Sequence, residues 1–252
     1  MKKQTIIILI SLFIFAKSEA QVITDRPDQT ESSSTVGKGN LQIETGLLIG
    51  FDGSIESSNR QILAPTTLFR YGLTKGIEIR FLSQFETLKN DSVSVEGISD
   101  LEIGTKIQLF KREDKNTEIA FLSHLIVPTG TGILTGDKVG TINKLSIAHD
   151  LSENVSIGYN LGYNYFGEGK GDFTYSAALG VSVNDKVGLY IEPYGDLVDF
   201  EQYVPNFDAG FTYLTNENLQ FDFSFGTGLK EKMNYISIGL SWLINRAKND
   251  VE

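Results

Sequence analysis

From Val155 to Tyr165 apolar and polar residues alternate without a break. Val155, Ile157, Tyr159, Leu161, Tyr163 and Tyr165 hold one parity, and Ser156, Gly158, Asn160, Gly162 and Asn164 hold the other. Beyond the glycine-rich link Gly167-Glu168-Gly169-Lys170-Gly171 the code resumes with Phe173, Tyr175, Ala177, Leu179, Val181 and Val183. A period of two sends successive side chains to opposite faces, so residues 154–184 predict an antiparallel hairpin with one apolar and one polar face. Strands of soluble sheets usually run about five or six residues. These arms are longer and suit a tilted membrane-crossing strand of roughly 9–11 residues. Tyr159, Tyr163, Tyr165 and Tyr175 lie on the apolar face, three of them towards the linked end, where an interfacial aromatic girdle belongs. Taken alone, the hairpin also fits a soluble sandwich.

The same period organises the rest of the chain. Leu41, Ile43, Thr45, Leu47, Ile49 and Phe51 mark a first strand, and residues 60–71 a second. Ile77, Ile79, Phe81 and Phe85 mark a third, and residues 98–110 a fourth with Leu101, Ile103, Ile107 and Leu109 outward. Strands follow to Val127 and from Lys138 to His149, then the hairpin, then residues 187–195, a strand reaching Tyr213, Leu219–Phe225 and 233–244. That makes twelve. Links near 73–76, 111–117, 151–154, 184–186 and 215–218 are short, whereas those after 51, 88, 128, 166, 195 and 226 are generally longer. Short turns on one side, longer loops on the other and an even strand number predict a closed antiparallel transmembrane β-barrel. Closure also removes the edges that such long strands would otherwise expose.

The N-terminus supports the membrane reading. Met1-Lys2-Lys3 is basic, an apolar run follows to Ala16, and Ser18-Glu19-Ala20 offers small residues before a cut, so residues 1–20 are expected to be a signal peptide with Gln21 as the mature start. The run is too short for a spanning helix, which needs about twenty residues. Losing three lysines and one glutamate with it takes the net charge from −10 to −12. An acidic exported chain argues against nucleic acid as a partner, and the absence of cysteine excludes a disulfide framework and thiolate metal sites. The division expected is a signal peptide (1–20), an irregular segment (21–38), a barrel (39–244) and a charged tail (245–252). The expected location is the outer membrane of a Gram-negative cell.

Two sets of motifs sharpen this. Ser237-Ile238-Gly239-Leu240-Ser241-Trp242-Leu243-Ile244 resembles the C-terminal assembly signal of outer-membrane barrels, with Ser237, Gly239, Trp242 and Ile244 at its marked positions; the charged tail after it is a departure. Thr24-Asp25-Arg26-Pro27-Asp28-Gln29-Thr30-Glu31-Ser32, Gly39-Asn40-Leu41-Gln42-Ile43-Glu44-Thr45-Gly46, Arg70-Tyr71-Gly72-Leu73-Thr74 and Glu78-Ile79-Arg80 resemble the outer-membrane transporter-like family named for the meta-pathway of phenol degradation. The resemblance implies a barrel of about twelve strands and a channel or transporter for small molecules, aromatic or hydrophobic ones among them. It carries no catalytic residues. The expected partners are outer-membrane lipids, the barrel-assembly machinery and a small solute.

Candidate chemistry is sparse. His124 and His149 are the only histidines, and Ser123-His124 and His149-Asp150 invite a hydrolase reading. Neighbours along a strand point to opposite faces, so neither pair makes the contact a catalytic triad requires. No enzyme, metal or cofactor is expected. The charges within strands say more. Parity turns Glu44, Arg70, Glu78, Arg80, Glu86, Glu102, Lys106, Glu192 and Asp222 inward, since an Arg or Lys on the lipid face near midplane costs roughly 2–4 kcal/mol. These groups either fill a narrow barrel with ion pairs or line a solute path, and their mixed signs argue against strong ion selectivity. Residues 22–38 lack strand periodicity yet carry Asp25, Arg26 and Asp28. They either form a solvated tail or fold back as a lumen plug, with Arg26 facing Glu44, Glu78 or Glu102, and Asp25 or Asp28 facing Arg70, Arg80 or Lys106. The function expected is a channel or transporter for small molecules; the alternative is a structural or binding barrel with a plugged lumen.

Overall fold

The computed structural model describes residues 22–54, 57–90, 92, 94–112 and 116–245; the expected signal peptide and residues 246–252 of the tail lie outside them. The strands are β1 (Leu41–Ser54), β2 (Ser57–Thr74), β3 (Ile77–Lys89), β4 (Ser94–Ile98), β5 (Leu101–Arg112), β6 (Thr117–Val127), β7 (Gly140–Asp150), β8 (Val155–Tyr165), β9 (Asp172–Asn184), β10 (Val187–Val198), β11 (Gln202–Asn216), β12 (Leu219–Gly228) and β13 (Met233–Ile244). Each pairs antiparallel with its neighbour, and β1 pairs with β13 from Leu41↔Ile244 to Asp52↔Met233. The sheet is therefore closed, and its backbone groups are satisfied within the ladder as a bilayer demands.

Twelve strands build the barrel. β4 is a short addition that pairs only with the outer part of β3, Phe85↔Ile98 to Lys89↔Ser94, while β5 takes the inner part, Ile77↔Ile107 to Leu82↔Glu102. The alternation predicts a link after residue 88 and a fourth strand from residue 98. In the structure β4 forms inside that link, because the overhanging end of β3 offers it a ladder. The outer links are also tighter than the sequence suggests: β1 and β2 run on to Ser54 and from Ser57, and only residues 199–201 separate β10 from β11.

Parity sorts the side chains. Ile79, Phe81, Ile103, Leu125, Leu161, Leu189, Ile191, Phe211, Phe221, Phe225, Ile236 and Ile238 are exposed on the outer face. Gln42, Glu44, Arg70, Glu78, Arg80, Lys106, Glu192 and Asp208 are buried within. The molecule is thus apolar outside and polar inside, the inverse of a soluble protein and the arrangement of a barrel whose solvent is lipid. Near the outer rim Tyr163 stacks on Phe200 and Tyr175 on Tyr203.

Candidate functional site: the lumen and its N-terminal segment

Residues 22–39 run inside the barrel. They enter at the end of the short turns, where the Val22 N–H donates to the Glu217 carbonyl (2.9 Å), and Val22 packs with Val36, Leu243 and Leu214. They leave across Gly72. A Cβ there would sit 2.1 Å from the Gly37 carbonyl oxygen, so only glycine lets the two backbones pass. Between these points the segment has no ladder of its own, and the wall supplies what a strand partner would. Glu44 accepts the Asp25 N–H (3.0 Å), Glu192 that of Gln29 (2.7 Å), Asn160 that of Glu31 (2.7 Å) and Glu78 that of Val36 (2.7 Å). Thr30 adds hydroxyl contacts to Ser176 (2.6 Å) and Glu192 (2.5 Å).

Asp25 is the centre of charge. Lys106 Nζ donates to both of its oxygens (2.8 Å each), Arg80 Nη1 lies 2.5 Å away and Arg70 Nη1 3.2 Å away. Arg70 also grips Glu78 with two nitrogens (2.9 and 3.1 Å) and Glu44 with a third (2.8 Å). Arg80 reaches Glu78 (2.9 Å), Glu31 (2.8 Å) and His124 Nε2 (2.9 Å). Because Arg80 Nε only donates, His124 Nε2 accepts, which leaves Nδ1 to donate to Glu102 (2.8 Å). His124 is therefore a link in the ion-pair network. His149 is separate: it contacts the Thr117 hydroxyl (2.9 Å) and the Tyr159 hydroxyl (3.1 Å).

Asp25 thus meets all three cations expected for Asp25 or Asp28, and one expected pairing needs correction. Arg26 meets none of Glu44, Glu78 or Glu102; its guanidinium binds Asp222 (3.0 and 3.3 Å) and the Ser237 hydroxyl (3.0 Å). Gly46 and Gly239, paired across β1 and β13, form the flat bed beneath it, and a Cβ on Gly239 would sit 2.4 Å from Arg26 Nη2. Asp28 meets no cation among the described residues; it faces the carboxylates of Glu192 and Asp208. Of the residues marked as an assembly signal, Ser237 and Gly239 face the lumen and touch Arg26, Trp242 is exposed on the outer face, and Ile244 pairs with Leu41 at the start of β1. Sequence reasoning missed Gly46, Gly239, Asn160 and Ser176 as seats for the segment. Their inward parity was readable, but what lies on them depends on the path of residues 22–39.

The segment divides the interior. An outer cavity of about 540 Å³ is lined by Leu48, Leu88, Met233 and Tyr235 and also by the charged Asp52, Arg60 and Lys89, and Gln29 of the segment borders it. An inner cavity of about 570 Å³ is walled by Ile23, Ser33, Arg112 and Glu118. Ile133, on the link between β6 and β7, also lines the outer cavity. Asp100 fastens this link: it accepts from the Thr129 N–H (2.9 Å), the Gly130 N–H (2.8 Å), the Thr135 hydroxyl (2.7 Å) and the Gly136 N–H (2.8 Å). Partial burial alone would raise the Asp100 pKa, but the donors from Gly136, Thr135, Gly130 and Thr129 outweigh it and hold the group below the usual carboxylate range. A depressed folded pKa contributes stability that is present above the unfolded value and lost as pH falls through the folded one. Protease cleavage in residues 128–137 is therefore expected to stay slow through the ordinary Asp titration range and to rise only in stronger acid. In Asp100→Ala it should be fast at neutral pH. Equal protection of the two proteins at pH 7 would show that Asp100 does not fasten the link.

The sequence and the fold now agree on a relationship. Over residues 24–241 the chain matches the family described as "Putative MetA-pathway of phenol degradation". It belongs to that family. No curated protein matches it. Among solved structures, the COG4313 outer membrane channel from Pseudomonas putida F1 superposes with a TM-score of 0.70 at 12% identity, covering 84% of this chain and 98% of that one. The KdgM porin in complex with disordered oligogalacturonate gives 0.55 at 10% identity, covering 80% and 98%. At such identities the likeness is one of fold, and the fold is the closed barrel of outer-membrane channels and porins.

Proposed function

We propose that this protein is an outer-membrane channel for small molecules whose passage is held shut by its own N-terminal segment. One observation carries the reading: cavities at the two ends of the barrel are separated by residues 22–39, which hold the wall through side-chain contacts and not through a strand. A structural filler could be built from wall side chains alone. A separate segment, tied in by ion pairs and hydrogen bonds, is a part that can move while the barrel stays closed. The apolar walls of the outer cavity favour hydrophobic or aromatic solutes, and the mixed charges of the lumen favour neither cations nor anions. Nothing in the arrangement of His124 or His149 supplies a nucleophile and base aimed at a common point, so the reading is transport without catalysis.

The same reading includes removal of residues 1–20 on export, a lipid-facing outer surface, and recognition of β13 by the barrel-assembly machinery, with Trp242 as the outward aromatic. Planar bilayers containing the purified intact protein test it. Conductance that is infrequent but steps to a fixed level is expected. Silence in the intact protein and in a plug-deleted form would favour the structural-barrel alternative.

A further inference from the structure

The outer cavity has a polar annex. A smaller cavity of about 150 Å³ adjoins it, sharing Gln29 and Tyr194 as lining, and is bounded by Lys144, Asp196, Asn160 and Asn164. Lys144 lies opposite Leu122 in the β6–β7 register and Leu122 is buried in the lumen, so Lys144 faces inward. Among the described residues it makes no ion pair, although Asp196 and Glu192 are both close enough to feel its charge. Asn164 Oδ1 is buried without a hydrogen-bond partner.

We propose that the two cavities form one solute-binding site, for a small molecule with an apolar body and an uncharged hydroxyl head. This deepens the channel reading above and rests on it for its place on a transport route. The body fits the outer chamber against Leu48, Leu88, Met233 and the ring of Tyr235, in a volume typical of ligand pockets. The head enters the annex, where it accepts from Lys144 and donates to Asp196. A hydroxyl does both. A carboxylate would gain Lys144 but face Asp196, with Asp172 close behind it. An ammonium would gain Asp196 but face Lys144. A bare hydrocarbon would leave the annex groups to water.

A matched series tests this: 2-naphthylmethanol, 2-naphthoate, (2-naphthylmethyl)ammonium and 2-methylnaphthalene, titrated by their own fluorescence against the barrel in lipid nanodiscs. Gly50→Leu serves as the blocked control. Gly50 faces the outer cavity, and a Cβ there meets nothing closer than 3.6 Å, so the larger side chain fills space without a backbone clash. Saturable binding tightest for the alcohol is expected. It should weaken roughly tenfold or more in Lys144→Met, the loss of a hydrogen bond to a charged group, while methylnaphthalene binding is unchanged. Gly50→Leu should abolish both, with unchanged heat-modifiable gel mobility showing that each variant is folded. Naphthoate or the ammonium binding as tightly as the alcohol would overturn the proposal, as would alcohol affinity unaltered by Lys144→Met. Conductance recorded on the same preparations separates the two readings. Alcohol binding without conductance ends the channel reading and leaves the site; conductance without saturable alcohol binding does the reverse.

Discussion

Deleting residues 22–36 after the signal sequence is expected to turn an infrequent conductance into a steady, severalfold larger one while leaving the barrel inserted and heat-resistant. The two halves of this expectation have different physical origins. Insertion depends on the closed ladder, in which β1 pairs with β13 and with β2 through backbone groups that owe nothing to the N-terminal segment. Conductance depends on the space between the outer and inner cavities, which that segment fills. Its removal strands Arg70, Arg80 and Lys106 without Asp25, but water enters the vacated lumen and solvates them, so the desolvation cost that made pairing necessary falls away. Uptake of small solutes by cells carrying the deletion should rise in parallel. An inserted deletion protein with the intact protein's conductance would end the plug reading and leave the barrel standing.

The barrel was legible because its signal is local and repeated. In a wall one strand thick, each residue faces either lipid or lumen, so alternation reports directly on environment along Leu101–Leu109 or Val155–Tyr165. The signal fails where both faces meet water. At the outer rim Asp52, Gly53 and Asn59 are exposed although their strands continue, and polarity there no longer encodes parity. For the same reason β4 escaped notice: Ser94–Ile98 becomes a strand only because β3 runs on past its pairing with β5. The lumen was legible one residue at a time but not as pairs. Inward parity identifies Asp222 as readily as Glu44, yet Arg26 and Asp222 stand 196 positions apart. Choosing between the two carboxylates requires the path of an aperiodic segment. That path follows from features with little sequence signature, among them the bare backbones of Gly46, Gly72 and Gly239.

Asp25→Asn is expected to release the plug almost as fully as deletion, whereas Asp28→Asn is expected to leave it shut. Both residues sit in the same segment, three positions apart, and each change replaces a carboxyl with an amide, so the contrast isolates surroundings from composition. Asp25 holds three cations at once. Without its charge Lys106, wholly buried, keeps a neutral amide oxygen at position 25, a longer ion pair to Glu31 at 3.6 Å and a marginal contact to the Ser32 hydroxyl at 3.5 Å. Removing one partner of a buried charge pair typically costs about 3–5 kcal/mol. The barrel itself need not unfold to relieve this, because undocking residues 22–36 admits water to Lys106. The cost should therefore appear in the docking equilibrium, as local opening beneath the global stability. Each 1.4 kcal/mol is about tenfold in that equilibrium, so the occupancy of the conducting state should rise by roughly two orders of magnitude or more. Asp28, by contrast, holds no cation among the described residues and faces Glu192 and Asp208; an uncharged amide there adds nothing to the like-charge crowding and leaves the segment at least as firmly held. Single-channel open probability in the two variants, with heat-modifiable mobility as the check on folding, decides the matter. Equal conductance in Asp25→Asn and Asp28→Asn would mean that the ion pairs fill the lumen without controlling passage through it.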